Sequence, residues 1–285
     1  MEIDSDNKLW VMQKGTTTMF IAEVVGTAVL LFIGCMGSLG TMGPTPPPPL
    51  QASMAFGMTV NLVIMMLGHV SGAHLNPAVT IGAVIVGLKT IPTAIVYIIG
   101  QFIGATLGYG ALMIITPPEL FFDGYSNSTT GFCVTAVHPG VSTVQAILIE
   151  TLCTAIILCA ASATWDPRCA HTTDSTALRF GFSVVGVSLA ASPYTGCSMN
   201  PARTFGPAFW NGNWTNQWIY WFGPTLGAFL GTFTYQMLFL EKPQNEEHFI
   251  EMKTIRSVPE HDDSLKSIEE NRMSNGKLEP VCDKM

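Results

Sequence analysis

The fold of this 285-residue chain is decided by two stretches, Gly72-Ala-His-Leu-Asn-Pro-Ala-Val-Thr80 and Tyr194-Thr-Gly-Cys-Ser-Met-Asn-Pro-Ala-Arg-Thr-Phe-Gly-Pro-Ala208. Each contains the tripeptide Asn-Pro-Ala, at Asn76-Pro77-Ala78 and Asn200-Pro201-Ala202, and each opens an apolar segment too short to cross a bilayer. Proline suits the first turn of a helix, and the preceding Asn can cap that helix with its side-chain oxygen while its amide NH2 stays free to donate. Paired interrupted segments of this kind indicate a transport site near the membrane midplane.

The composition is that of a membrane protein. Hydrophobic residues make up 48% of the chain, charged residues only 12%, and the mean hydropathy is +0.37. The tail 241–285 holds 18 of the 33 charged residues, so the rest of the chain is nearly free of charge. We therefore predict an all-α membrane protein with a cytoplasmic N-terminus at 1–15, a channel domain at 16–240 and a polar cytoplasmic tail at 241–285 that lacks fixed structure.

Six segments are long enough to span a bilayer at about 1.5 Å per residue. They lie near Met19–Leu39, Ala52–His69, Ile91–Ile115, Val144–Ala163, Ala177–Ala191 and Gln217–Leu240. Lys8 and Lys14 precede the first span and Lys89 follows the second, whereas the loops 40–51 and 116–142 contain no Lys or Arg. This asymmetry predicts a multi-pass protein of the cell membrane with both termini in the cytoplasm. Arg203 lies on the opposite side from the other basic residues and is a functional candidate for that reason.

The two halves of the chain repeat. Glu23-Val-Val-Gly-Thr27 matches Glu150-Thr-Leu-Cys-Thr154, and the offsets of 127, 123 and 124 residues between three pairs of motifs are nearly constant. Because each repeat, about 16–115 and 143–240, has three spans, the second must be inverted relative to the first. Each would dip a short helix, roughly 78–87 and 202–210, into the membrane from opposite faces. Glycines recur every four residues on the third and sixth spans and predict close contact between the two halves: Gly100, Gly104, Gly108, Gly223, Gly227 and Gly231.

The double Asn-Pro-Ala motif, the duplicated Glu and Arg203 resemble the aquaporin (major intrinsic protein) family over residues 16–240. The resemblance implies a right-handed bundle of six transmembrane helices and two re-entrant half helices, with a pore in each subunit of a homotetramer. It also implies that Asn76 and Asn200 meet at mid-pore, and that Glu23 and Glu150 brace the re-entrant loops by accepting backbone hydrogen bonds.

The outer constriction of that family maps by spacing onto Phe56, Ser188, Cys197 and Arg203. Water-selective members resemble this chain except that they carry a histidine at the position of Ser188. Thr204 differs from the Asp typical of glycerol channels, and the combination is similar to the insect entomoglyceroporins. We therefore expect passive permeation of water, glycerol and urea. Cys197 is the thiol we expect a reagent to reach from the pore.

Other interpretations stay open at this point. A strictly water-selective channel, an ion-coupled transporter and an adhesion scaffold with little conductance are the functional alternatives. Glu23 and Glu150 could relay protons, Arg203 could reach lipid headgroups, and Ser188 could be a packing residue. His74 is assigned to packing or to the vestibule because its spacing from His69 is poor for a metal.

The sequence indicates no cofactor, no metal site, no catalytic residues and no nucleic-acid partner; the expected partners are water, small neutral solutes and the lipid bilayer. Most of the seven cysteines lie in spans or on the cytoplasmic side, so no disulfide framework is predicted. Asn127, in Asn127-Ser-Thr129 of an outer loop, is a candidate glycosylation site.

Overall fold

The computed structural model describes residues 5–39, 48–117 and 132–240. Within these ranges the chain forms eight α-helices and one 3₁₀-helix. The bounds are α1 Ser5–Met36, α2 Pro49–Ser71, α3 Pro77–Ile85, α4 Ile91–Ile115, α5 Thr143–Trp165, the 3₁₀-helix Pro167–Ser175, α6 Thr176–Thr195, α7 Pro201–Asn211 and α8 Ile219–Leu238. The tail 241–285 and the candidate glycosylation site at Asn127 lie outside the described residues.

Helix lengths differ from the predicted spans in specific places. The first helix begins at Ser5 and not at Met19, and the fifth span continues to Thr195 and not to Ala191. In the described part of the chain, five helices are long and apolar enough to cross a membrane: Gly15–Met36, Leu50–Ser71, Ile91–Ile115, Thr143–Trp165 and Thr173–Thr195. The last helix, α8, is 20 residues long. It is not among these five because its Gly, Pro, Thr and Tyr residues dilute its apolar content.

The two short helices begin where the Asn-Pro-Ala motifs predict. Asn76 and Asn200 are extended residues that precede α3 and α7, and a proline occupies the first turn of each helix. Upstream, α2 and α6 end at glycines in the left-handed conformation, Gly72 with φ 89° and Gly196 with φ 74°. A side chain at these positions would be strained, so glycine lets each long helix stop and the chain turn back into the bundle.

Each short helix packs into the hydrophobic cluster of the other half. Ala202 of α7 lies in a cluster with Leu31 of α1 and Tyr109 of α4, all of them fully buried. Conversely, Ala78 of α3 is buried against Leu158 of α5. The two halves are therefore joined through their exchanged half helices.

The glycine stripes do not join the halves, and that prediction is wrong. A Cβ atom on Gly104 or Gly108 of α4 would overlap backbone carbonyls of α1, and one on Gly227 or Gly231 of α8 would overlap backbone carbonyls of α5. Each stripe thus allows two helices of the same half to approach closely. The sequence shows that small residues line a helix face but not which neighbour meets that face.

Candidate transport pore

A cavity of about 270 Å³ lies in the bundle and is lined by residues of both re-entrant loops. Its lining also includes Ser38 and Cys133, near the end of α1, and Phe180, near the start of α6. Much of its wall is apolar, with Leu30, Val60, Val79, Ile157 and Val184 among the lining residues. A few polar side chains on an apolar wall are typical of a passage that selects small molecules by hydrogen bonding.

Asn76 and Asn200 face each other across the middle of this cavity. Each side-chain oxygen caps its own helix: Asn76 Oδ1 accepts from the backbone N–H of Ala78 at 2.8 Å, and Asn200 Oδ1 accepts from that of Ala202 at 3.0 Å. The two amides also cross over, because Asn76 Nδ2 donates to the carbonyl of Met199 at 2.8 Å and Asn200 Nδ2 donates to that of Leu75 at 2.9 Å.

The crossed bonds correct the expectation that each amide NH2 stays free. An amide NH2 group has two donor hydrogens, and one of them is used by the opposite loop. One N–H of each Asn is left for a molecule in the cavity. The crossed bonds also fix the rotation of each amide, so the second hydrogen points in a defined direction.

The loops before the two Asn residues share an unusual backbone. Ala73 and Leu75 have φ of 46° and 56°, and the residues 124 positions later, Cys197 and Met199, have φ of 43° and 51°. Residues other than glycine rarely adopt this left-handed conformation, and it persists where the surroundings over-determine it. Here it turns the carbonyls of Leu75 and Met199 toward the partner Asn, and the repeat of the geometry confirms that the two halves are structural copies.

Glu23 holds the first of these loops. Its carboxylate accepts hydrogen bonds from the backbone N–H groups of His74 at 3.0 Å and Leu75 at 2.9 Å, from Ser71 Oγ at 2.7 Å and from Gln101 Nε2 at 2.8 Å. The side chain is fully buried. Four donors around one buried carboxylate connect α1, α4 and the loop in a single network.

Glu150 holds the second loop in the same way but with fewer partners. It accepts from the N–H groups of Ser198 at 2.9 Å and Met199 at 2.8 Å and from Thr195 Oγ1 at 2.7 Å. The position equivalent to Gln101 is Pro224 in the second half, which has no side-chain donor. Gln101 is a site residue that was not predicted from the sequence. The signal was present, because Gly100-Gln101 in the first repeat aligns with Gly223-Pro224 in the second, and only the first pair carries a side-chain donor.

His74 lines the cavity and is 7% exposed. Its Nδ1 atom lies 3.2 Å from Thr80 Oγ1, and its ring contacts Tyr97 edge-on with centroids 5.1 Å apart. In the other half Ser198 takes the position of His74 and forms a hydrogen bond with Thr204. Both residues therefore fasten a re-entrant loop to the first turn of the half helix that follows it.

The four predicted filter residues all line the cavity. The guanidinium carbon of Arg203 lies 4.5 Å above the centre of the Phe56 ring, and Arg203 Nη1 donates to the carbonyl of Cys133 at 2.8 Å. Ser188 Oγ lies 3.3 Å from Ser53 Oγ and 3.4 Å from Ser192 Oγ. The Cys197 sulfur lies 3.8 Å from the carbonyl oxygen of Val187. Cys197 as a whole is buried, with 4% of its surface exposed.

Cys35 and Cys133 form a disulfide, which contradicts the prediction that there would be none. Cys35 falls within the predicted first span, but it lies in the last turn of α1, which ends at Met36. The segment around Cys133 folds back over this end and brings the two Cα atoms to 5.6 Å. The partners are 98 residues apart, and no local pattern connects them.

Comparisons with known proteins agree with this architecture. The model of the major intrinsic protein family matches residues 11–235. Aquaporin-4 from Homo sapiens is 35% identical over 260 residues, covering 91% of this chain and 77% of that protein. The lens fiber major intrinsic protein from Ovis aries is 37% identical over 217 residues, covering 76% of this chain and 79% of that protein. The solved structure of the aquaglyceroporin from Plasmodium falciparum, 22% identical, superimposes with a TM-score of 0.69 over 78% of this chain and 96% of that one, a likeness that concerns the fold.

Proposed function

The chain belongs to the major intrinsic protein family of membrane channels, and we propose that it conducts water together with small uncharged solutes such as glycerol and urea while excluding protons and ions. The observation that carries the proposal is the crossed pair of Asn76 and Asn200, which both line one cavity in the bundle. Permeation through such a passage is passive and involves no chemistry.

Exclusion of protons follows from the Asn pair. A water molecule between the two amides accepts the remaining N–H of Asn76 and that of Asn200, so its own hydrogens point away from the centre in both directions. This orientation interrupts the chain of hydrogen bonds along which a proton would hop. The N-terminal ends of α3 and α7 carry partial positive charge and add an electrostatic barrier to cations.

Glu23 and Glu150 act as braces in this proposal and not as proton relays. Their oxygens accept hydrogen bonds from backbone N–H groups of the re-entrant loops, so both side chains are already engaged in holding those loops. The left-handed residues of each loop need such an anchor. Fixed loops keep the two Asn donors in register.

Arg203, Phe56, Ser188 and Cys197 form the selective constriction. Arg203 stays charged, offers several donors and repels cations. Phe56 presents an apolar wall to the carbon face of a polyol. The small side chain of Ser188 leaves room for molecules wider than water, in keeping with the resemblance to insect entomoglyceroporins.

We propose that the channel domain covers residues 16–240 and that both chain ends face the cytoplasm. Arg168 Nη2 donates to the carbonyl of Phe239 at 2.6 Å, so the connection between α5 and α6 lies at the end of α8. Lys89 Nζ donates to the carbonyl of Ser71 at the end of α2, at 3.1 Å. Basic residues gathered on one face of the bundle favour the cytoplasm for that face.

We further propose a homotetramer with a pore in each subunit, as the family resemblance implies. Large apolar side chains on the outer faces of the helices are exposed in the single chain, among them Ile156, Phe229 and Phe233. In a membrane these faces meet lipid or neighbouring subunits. Light scattering of the detergent-purified protein measures the number of subunits.

The function is tested with the purified full chain in proteoliposomes. Stopped-flow light scattering measures water, glycerol and urea fluxes, and a pH-sensitive dye inside the vesicles measures proton entry. We expect rapid, non-saturating flux of all three molecules without proton entry. Water flux alone would identify a strictly water-selective channel, solute flux that depends on an ion gradient would identify a transporter, and the absence of any flux would identify a scaffold.

A further inference from the structure

The Cys35–Cys133 disulfide lies beside the constriction, and its contacts extend to the arginine of the proposed filter. Within the described residues, both hydrogen bonds of the Arg203 guanidinium go to Cys133. Nη1 donates to the Cys133 carbonyl at 2.8 Å, and Nη2 lies 3.7 Å from the Cys133 sulfur. The Phe56 ring lies under the same guanidinium. The position of the Arg203 guanidinium therefore depends on the position of Cys133.

Cys133 itself has an unfavourable backbone conformation. Its φ is 58°, in the left-handed region that residues other than glycine rarely occupy. This conformation directs the carbonyl oxygen toward Arg203. Such a geometry persists only when the surrounding structure enforces it.

Several contacts hold the segment 132–135 in place. The Tyr109 hydroxyl donates to the carbonyl of Phe132 at 2.7 Å, and Thr135 Oγ1 donates to Thr204 Oγ1 at 3.1 Å. Between these two hydrogen bonds lies the covalent bond from Cys133 to Cys35, which is fully buried in the last turn of α1. Among these contacts, the disulfide acts directly on Cys133, the residue that contacts the guanidinium.

We propose that the Cys35–Cys133 disulfide is a positioning element of the constriction: it fixes the Cys133 carbonyl that holds Arg203 against Phe56, so its reduction loosens the arginine and changes solute selectivity. The proposal rests on the proposed function of Arg203 as part of the filter. The disulfide lies at the opposite end of the bundle from the start of α1 and the end of α8, on the proposed outer face, where the environment is oxidising.

The expected effect differs from that of removing the arginine. When the disulfide is reduced, Arg203 keeps its charge but loses its fixed acceptor, and the side chain can move away from the wall. The constriction then widens for solutes, whereas the repulsion of cations persists. We expect the ratio of glycerol to water permeability to rise by about threefold or more on reduction, with no change in proton or cation leak.

The experiment uses the full chain in proteoliposomes treated from outside with tris(2-carboxyethyl)phosphine. Mass spectrometry after thiol alkylation verifies that the bond is broken. The double variant Cys35→Ser, Cys133→Ser should show the raised ratio without reductant and should not respond to it. Cys159→Ser is the matched control, because Cys159 is a half-buried free cysteine whose thiol contacts the Gly231 carbonyl at a distant helix interface. This control should behave as the parent protein.

An unchanged permeability ratio, in fully reduced protein or in the folded double variant, would overturn the proposal. So would a loss of water and glycerol flux in equal proportion, which indicates a purely structural bond. Arg203→Val, measured in the same vesicles, separates the two hypotheses. If Arg203→Val changes selectivity and reduction does not, only the disulfide proposal fails; if Arg203→Val also has no effect, the proposed filter fails with it.

Discussion

The Arg203 guanidinium lies over the face of the Phe56 ring, with 4.5 Å between the guanidinium carbon and the ring centre. A cation in this position is attracted by the electrons of the ring, and the ring in turn shields one side of the charge from water. Ser188 lines the same cavity, and its hydroxyl lies 3.3 Å from that of Ser53. The constriction thus has a charged, an apolar and a hydroxyl-bearing side.

Arg203→Val removes the fixed charge but keeps an apolar side chain of moderate size. We expect water flux to persist, because the passage is no narrower, and cations or protons to leak, because nothing at the constriction repels them. Ionic current in planar bilayers together with water flux in vesicles checks this expectation. A variant that folds, conducts water and shows the ionic conductance of the parent would contradict the role of Arg203.

Ser188→His should narrow the constriction. An imidazole fills the space beside Ser53 and Ser192, so wide solutes lose their path while water still fits. We expect glycerol and urea fluxes to fall by about tenfold or more, an increase of about 1.4 kcal/mol in the barrier, with a much smaller change in water flux. Ser192→Ala, one helical turn away on the same cavity wall, is the control and should leave the ratio of fluxes unchanged. Glycerol flux equal to that of the parent would identify Ser188 as a packing residue.

Asn76→Asp separates the two roles of the amide. Asp caps helices as well as Asn does, so α3 should keep its start, but the carboxylate cannot donate to the Met199 carbonyl or to a water molecule. We expect the variant to fold, to conduct less water and to exclude cations less well. Asn76→Ala, which also loses the cap, should in addition be destabilised by about 1 kcal/mol. The role of the donor is disproved if Asn76→Asp matches the parent in water flux and in proton exclusion.

Gly108→Ala tests the close approach of α1 and α4. The added methyl group would overlap the backbone carbonyl of Ala28, and relief requires the helices to separate. Overpacking of this kind costs about 1–3 kcal/mol. Gly186→Ala in α6 is the matched control because no atom lies within 4 Å of its Cβ position. Thermal unfolding in detergent should show a lower unfolding temperature for Gly108→Ala and an unchanged one for Gly186→Ala. Equal unfolding temperatures of the two variants would show that α4 tolerates a wider spacing from α1.

Asp166 provides a test of pH dependence on the proposed cytoplasmic face. Burial acts to raise the pKa of Asp166, but hydrogen bonds from the side chain and backbone of Arg168 and from the Tyr235 hydroxyl outweigh it and lower the pKa below the ordinary value. A carboxyl with a lowered native pKa stabilises the folded protein above its unfolded pKa of about 3.9, and this contribution is lost as the pH falls through the lower native value.

Asp166→Asn should therefore lower the free energy of unfolding at neutral pH, because it removes the charge that Arg168 pairs with. We expect a loss of only about 1–2 kcal/mol, since Arg168 is partly exposed and water screens the pair. The difference from the parent should vanish at pH values below the native pKa. Asp174→Asn, at an exposed position of the same 3₁₀-helix, should have little effect. Thermal unfolding as a function of pH measures all three proteins, and a difference independent of pH would exclude the ion pair as its source.

Local patterns predicted the bounds of the two half helices to within about two residues, as expected where Asn and Pro define a helix start. They also predicted the inverted repeat, because the motifs Glu23 and Glu150 recur at nearly constant offsets. The family resemblance selected Phe56, Ser188, Cys197 and Arg203, and all four line the same cavity in the structure. Each of these predictions depends on residue identity and short-range spacing.

By itself, the sequence determined the fold class and the starts of the two half helices, since apolar length, caps and proline act within a few residues. Only the tertiary structure decided which surfaces meet: the glycine stripes pack within their own halves, and one N–H of Asn76 is taken by Met199 in the other half. It also decided that Cys35 pairs with Cys133, 98 residues away. Contacts between distant parts of a chain depend on the three-dimensional path between them, and neither composition nor periodicity records that path.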